Sequence, residues 1–158
     1  MYRCLIANRG EIAVRIIRAC RELNIETVAI YAKGDETSLH VSLADQAICI
    51  GEANPLDSYL NIDRIISAAK VTESNAIHPG YGFLSESTNF AKAVEDNHIH
   101  FIGPSKTTME MMGDKITARQ TVKQAGVPVI PGSNDAVQSV DEIKLLAKEI
   151  GSVSYTHL

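Results

Sequence analysis

Hydrophobic positions change period repeatedly along the amino-terminal part of the chain, and each change marks an element. Arg3–Ala7 (Arg-Cys-Leu-Ile-Ala) is a short apolar run that stops at Asn8-Arg9-Gly10. Beyond the glycine, Ile12, Ile16, Cys20 and Leu23 recur at helical spacing and stack on one face, while Glu11, Arg15, Arg18 and Glu22 line another. Glu26–Tyr31 is nearly continuous in apolar and β-branched residues, which suits a strand covered on both faces. A strand, a glycine turn, an amphipathic helix and a second strand together predict a βαβ unit.

The alternation continues. Ala47–Ile50 predicts a strand, and residues 62–71 a helix with Ile62, Ile65, Ile66 and Ala69 on one side and Asn61 as its cap. Ala76–His78 predicts a strand, Asn89–Asn97 a helix, and His100–Ile102 a strand closed by Gly103-Pro104. Strands regularly separated by helices imply an α/β fold with a parallel sheet covered on both faces. From Ser105 the pattern turns helical. Ser105 and Asp114 are expected to cap two helices separated by Gly113, the second running to Gln124 before Gly126 and Pro128. After an extended Val127–Pro131, Ser139-Val-Asp-Glu142 reads as a capping box for a helix carrying Ile143, Leu146, Ala147 and Ile150, stopped by Gly151. Ser152–Leu158 shows neither period.

Composition narrows the function classes. A chain of 158 residues suits one single-core domain and an unfinished end. Nineteen acids against 15 bases leave a formal charge of −4 with no basic block, which removes the driving force for binding a phosphate backbone, so no nucleic-acid partner is expected. Cys4, Cys20 and Cys49 lack metal-type spacing and are expected to be small buried thiols in a reducing compartment. No apolar stretch approaches the roughly 20 residues of a membrane span, and no signal-type segment opens the chain, so a cytoplasmic protein is expected.

Three segments could carry chemistry. Ala7-Asn-Arg-Gly-Glu-Ile-Ala13 places Gly10 between a strand and a helix, where backbone can approach a ligand. Only one glycine of the dinucleotide fingerprint is present, and a purely structural turn is favoured. Ala76-Ile-His-Pro-Gly-Tyr-Gly-Phe-Leu-Ser-Glu86 leaves the carboxyl end of a strand, where parallel sheets place their crevices, and its glycines let Tyr81 and Phe83 stand beside a cleft. A plain connecting loop with a structural His78 is the alternative. In Met112-Gly-Asp-Lys115 a lysine sits in the first turn of a helix, unfavourable against the dipole unless an anion is bound there. On the residues alone a solvated surface lysine is favoured.

Taken in order, Ile6-Ala-Asn-Arg-Gly-Glu-Ile-Ala13, Leu43-Ala-Asp45, Ile48-Cys-Ile-Gly51, Ser58-Tyr-Leu-Asn61, Ala76–Glu86, Phe101-Ile-Gly-Pro104, Met112–Lys115, Ala125-Gly-Val-Pro128 and Pro131-Gly132 resemble the biotin carboxylase family of ATP-grasp ligases. The resemblance covers residues 3–151. It implies a Rossmann-like domain over residues 1–113, the incomplete start of an ATP-grasp region over 114–151, and a tail, 152–158, foreign to the family. Lys115 matches the lysine that contacts ATP phosphates. His78, Gly80, Tyr81, Gly82 and Glu86 match the loop lining the cleft on its biotin and phosphate side. Arg15, Arg18 and Glu22 lie on a helix resembling the family's dimerisation surface.

The implied reaction phosphorylates bicarbonate with ATP and carboxylates biotin, the first step toward malonyl-CoA and fatty acid synthesis in an acetyl-CoA carboxylase. ATP, Mg2+ and carrier-bound biotin are the implied cofactors and substrates. A biotin carboxyl carrier protein, carboxyltransferase subunits and a second copy of the chain are the implied partners. Catalytic residues and metal ligands are expected beyond residue 151, so this stretch alone is not expected to turn over. Ser87 departs from the family's usual asparagine but can still cap a helix. A pyruvate or propionyl-CoA carboxylase shares these motifs, with Met112 favouring the acetyl-CoA type. A free-standing nucleotide-binding module and a non-catalytic dimerisation segment are the alternatives from other classes.

Overall fold

The computed structural model describes residues 2–133 and 137–151. The chain forms two compact units, Met1–Met109 and Glu110–Leu158.

The first unit runs β1 (Arg3–Ile6), α1 (Gly10–Glu22), β2 (Glu26–Ala32), α2 (Leu39–Leu43), β3 (Gln46–Gly51), a 3-10 turn (Pro55–Asp57), α3 (Ile62–Val71), β4 (Ala76–His78), α4 (Thr88–Asp96), β5 (His100–Phe101) and the start of α5 (Lys106–Gly113). Five parallel strands lie in the order β3-β2-β1-β4-β5. β1 is central, with Cys4 opposite Thr27 on one side and Ala76 on the other. Its side chains alternate between faces, as pleating requires. Cys4 and Ile6 join Ala13, Ile16, Ile17 and Cys20 of α1 in one cluster. Leu5 joins Val28, Ile30, Ile65, Ala69, Ile77, Phe90 and Val94 in the other. Phe90 and Phe101 meet edge to face, centroids 5.9 Å apart, closing the second layer near β5.

In the first unit α3, α4 and α5 start where short side-chain acceptors satisfy free amides, whereas α1 and α2 begin without a side-chain cap. Asn61 accepts from Arg64 N at 3.1 Å, Ser87 from Phe90 N at 3.2 Å and Ser105 from Thr108 N at 3.2 Å. In the second unit Asp114 accepts from Thr117 N at 2.8 Å and begins α6 (Lys115–Gln124). Ser139 accepts from Glu142 N at 3.2 Å and begins α7 (Val140–Ile150), and Glu142 reaches back to Gln138 N at 3.0 Å, one residue beyond the expected cap amide. The tail Ser152–Leu158 lies outside the described residues.

Two expectations from the sequence are corrected. Leu23 is 69% exposed, because α1 ends at Glu22 and Leu23 is its C-cap, turned off the apolar stripe. Cys49 is exposed where a buried thiol was expected, because β3 is an edge strand, along which Gln46 and Ala47 are also exposed. Two elements went unpredicted: the 3-10 turn, and α2, whose His40 is buried and donates Nε2–H to Ile30 O at 3.2 Å. No helix among the described residues is long and apolar enough to cross a membrane.

Candidate functional site

In this sheet the chain moves outward from β1 through β2 to β3, then returns to lay β4 on the other side of β1. The gap outside the carboxyl ends of β1 and β4 is therefore the switch point where open α/β sheets take their ligands. Two segments emerge there side by side: Ala7–Gly10 after β1 and Pro79–Phe83 after β4. Ala7 N donates to His78 O at 2.8 Å, which carries the strand pairing to the brink of the loops.

Asn8 joins them. Its side chain is almost fully buried, 3% exposed, and Nδ2 donates to Pro79 O at 2.8 Å and Tyr81 O at 2.7 Å. Its Oδ1 accepts from Arg9 N at 2.9 Å. Gly80 crosses directly above with φ +68°, and a Cβ there would stand 2.7 Å from Asn8 Nδ2. Both the backbone conformation and the close approach demand glycine.

Gly80 N–H donates to His78 Nδ1 at 3.0 Å. That nitrogen must carry a lone pair, so the imidazole is neutral with its proton on Nε2. Burial lowers the His78 pKa below the ordinary histidine value. A depressed folded pKa means stability that is fully present above about pH 6.5 and is lost as pH falls through the folded value. Nitrogen-detected NMR is expected to show the Nε2–H tautomer at neutral pH and a His78 midpoint below that of free histidine. A midpoint above it would break the Gly80 assignment.

The tip of the loop faces outward. Tyr81 is 59% exposed and donates its hydroxyl to Glu11, the hydrogen bond to that carboxylate raising the phenol pKa. Phe83 stacks on the buried Tyr59 with centroids 5.2 Å apart and planes 11° apart. Asn8, Arg9, Glu11, Ile12, Tyr81, Gly82 and Phe83 line a hollow of about 340 Å³. Arg9 pairs with Asp35 at 2.8 Å at its rim. The hollow offers an aromatic wall, glycine backbone and one carboxylate, an arrangement suited to binding. Among the described residues no group of His, Cys, Asp and Glu could hold a metal ion.

Of the residues singled out from sequence, His78, Gly80, Tyr81 and Gly82 thus form one loop, and Glu86 follows it as an exposed residue. Lys115 is the exposed first residue of α6 in the second unit. Arg15, Arg18 and Glu22 line an open groove of about 800 Å³ with Ser38, Leu39 and His40. Sequence reasoning missed Asn8, Arg9 and Tyr59 as the residues holding the loop. The available signal was a polar residue, Asn8, ending the apolar run Cys4–Ala7.

Residues 1–109 match the family model described as "Biotin carboxylase, N-terminal domain". Biotin carboxylase 1 of Bacillus subtilis is 56% identical over 149 residues, which cover 94% of this chain and 33% of that protein. The biotin carboxylase domain of the Hydrogenobacter thermophilus 2-oxoglutarate carboxylase, solved as a dimer with MgADP, ADP and bicarbonate, superposes with a TM-score of 0.86 at 52% identity, covering 95% of this chain and 33% of that one. A biotin carboxylase–beta-gamma-ATP complex from Campylobacter jejuni gives a TM-score of 0.89 at 49% identity, covering 95% and 34%. The chain therefore spans about a third of the length of the relatives it matches. By the family match over most of its length, and by a fold shared with these solved domains, the chain belongs to the biotin carboxylase N-terminal domain family.

Proposed function

We propose that this chain supplies one wall of the cleft of a biotin carboxylase, an ATP- and bicarbonate-dependent ligase that carboxylates carrier-bound biotin. The observation that carries this is the Asn8-clamped loop at the β1/β4 switch point, in a chain 56% identical to Biotin carboxylase 1 of Bacillus subtilis. Residues 1–113 are assigned to the Rossmann-like domain, 114–151 to the start of the ATP-grasp region and 152–158 to a tail outside the family pattern. His78, Gly80, Tyr81, Gly82 and Glu86 line the cleft on its biotin and phosphate side. His78 and Gly80 shape the loop, and Tyr81 offers an exposed ring and hydroxyl to the substrate.

Lys115 is assigned to the ATP phosphates. Asp114 is already satisfied by the Thr117 amide and hydroxyl at 2.8 and 2.9 Å, which leaves the exposed ammonium at the start of α6 free to face an anion. The described residues hold no cluster fit for Mg2+, so no step is assigned to the metal here. Arg15, Arg18 and Glu22 are assigned to a homodimer surface, supported by the charged rim of the α1 groove and by the dimeric Hydrogenobacter domain. A carrier protein, carboxyltransferase subunits and a cytoplasmic setting follow from the same reading. Acetyl-CoA carboxylase is the proposed holoenzyme. A 2-oxoacid carboxylase is the second reading, favoured by the 52% identity to the Hydrogenobacter 2-oxoglutarate carboxylase domain.

The test joins residues 1–151 to the remaining two thirds of the Bacillus subtilis relative. Biotin- and bicarbonate-dependent ADP release is expected from this chimera, and Lys115→Gln is expected to lower kcat/KM for ATP about 100-fold, the usual effect of removing one well-placed transition-state contact. A folded chimera without activity, or an unaltered ATP dependence after Lys115→Gln, overturns the assignment. So does turnover by the 158-residue chain alone.

A further inference from the structure

We propose that Tyr59 is a positioning residue for the Gly80–Phe83 loop and, through it, for the substrate that meets Tyr81; the second clause rests on the function proposed above. Phe83 is the reason the loop needs such a residue. Its φ of +39° is a left-handed conformation that an aromatic side chain rarely adopts. Gly80 and Gly82 on either side of Tyr81 also take positive φ, +68° and +66°, but at no comparable cost. A conformation of this kind persists only where the surroundings over-determine it. Asn8 holds the first half of the loop through the carbonyls of Pro79 and Tyr81. The second half has the Ser85 N–H to Gly82 O turn at 2.9 Å and the stack of Phe83 on Tyr59.

Tyr59 is itself immobilised by the ends of other strands. It is 1% exposed. Its hydroxyl accepts from Ala32 N at 3.0 Å, where β2 ends, and donates to Asp35 Oδ2 at 2.7 Å. The same carboxylate oxygen takes Arg9 Nη1 at 2.8 Å, and the Arg9 guanidinium lies 5.7 Å from the Tyr59 ring centre. Burial and the neighbouring Asp35 raise the phenol pKa, so the donor role holds throughout the working pH range. One ring thus ties the turns after β1, β2 and β3 to the loop after β4.

Amide hydrogen exchange on the 158-residue chain tests the first clause. Tyr59→Leu is expected to speed exchange of the Ser85 amide at least 10-fold while Ile30 and Ile77 in the sheet stay within about twofold, since local opening is read separately from global unfolding. Phe83→Leu removes the stack from its half-exposed side and is expected to reproduce the effect even if Tyr59→Leu does not fold. Tyr59→Phe keeps the stack and is expected to restore slow exchange in large part. Unchanged Ser85 exchange in Phe83→Leu overturns the proposal, as does uniform acceleration across the sheet.

The chimera tests the second clause. Phe83→Leu is expected to raise the KM for free biotin about 5- to 10-fold with the KM for ATP within twofold, and Tyr59→Phe to sit near the parent. A loosened loop with an unchanged biotin KM supports the positioning role and overturns the substrate assignment of Tyr81. Equal changes in both KM values overturn the specific coupling to that substrate.

Discussion

Asn8→Asp is expected to destabilise the first unit by about 3–5 kcal/mol at neutral pH, although the two side chains have the same shape. The Asn8 amide nitrogen gives its two hydrogens to Pro79 O and Tyr81 O at 2.8 and 2.7 Å in a site only 3% exposed. A carboxylate has no hydrogen to give. It would set a buried negative charge against two carbonyl oxygens, and it can recover one hydrogen bond only by taking up a proton.

The folded state therefore raises the pKa of the introduced carboxyl above its unfolded value near 4. The deficit relative to the parent is smallest below that value and grows as pH rises through the folded pKa. Denaturant unfolding of parent and variant at pH 5 and pH 8 reads this directly. Because His78 and His40 both have pKa values lowered by burial, both proteins gain stability with pH, and the difference between them is the informative quantity. Superimposed curves at pH 8 would falsify the clamp.

A steric effect of similar size is expected at the end of β3. Gly51 has φ +142°, and a Cβ there would lie 2.1 Å from Asp57 O and 2.3 Å from Arg64 Nη1. The arginine can swing away, giving up its 3.0 Å bond to Ile50 O, but Asp57 O is backbone in the turn that leads to Tyr59. Gly51→Ala combines disfavoured dihedrals with overpacking and is expected to cost about 3–4 kcal/mol, or on the order of 15 °C in Tm for a unit of this size. Arg64→Ala in the same background should recover little of it, since the backbone clash remains. Full rescue by Arg64→Ala in a calorimetric scan would show that the side chain, and not the turn, sets the limit. Slower loss of the Tyr59–Phe83 stack is not expected: displacement of the turn should loosen the loop at the same time, visible as faster Ser85 exchange.

The sheet was readable from sequence because its strands are short apolar runs bounded by turn residues, and its helices carry one apolar face each. Ala76–His78 is a three-residue strand found only because a glycine-rich loop follows it and a helix precedes it. Burial at the sheet margin was not readable. Ile48, Cys49 and Ile50 look alike in composition to Val28, Ala29 and Ile30, and only the strand order makes one run an edge and the other interior. α2 is a single turn or so of helix, too short for a period to emerge, and is anchored by His40, a residue that composition reads as polar. The loop was legible as a candidate site from its glycines and its place after a strand. Its fastenings were not, because Asn8, Asp35, Tyr59 and Phe83 are far apart along the chain and meet only through the fold.

The central place of β1 bears on how the protein is made. The strand leaves the ribosome before either neighbour that pairs it, through Thr27 and Ala76 opposite Cys4, and the second of these emerges on the order of ten seconds after β1 at ordinary elongation rates. During that interval Cys4-Leu5-Ile6 can rest against β2 and α1 but has one open edge, the condition in which nascent chains pair wrongly or recruit a chaperone. Synonymous codons that slow translation between β2 and β4 would lengthen this exposure, and lower soluble yield is the expected sign.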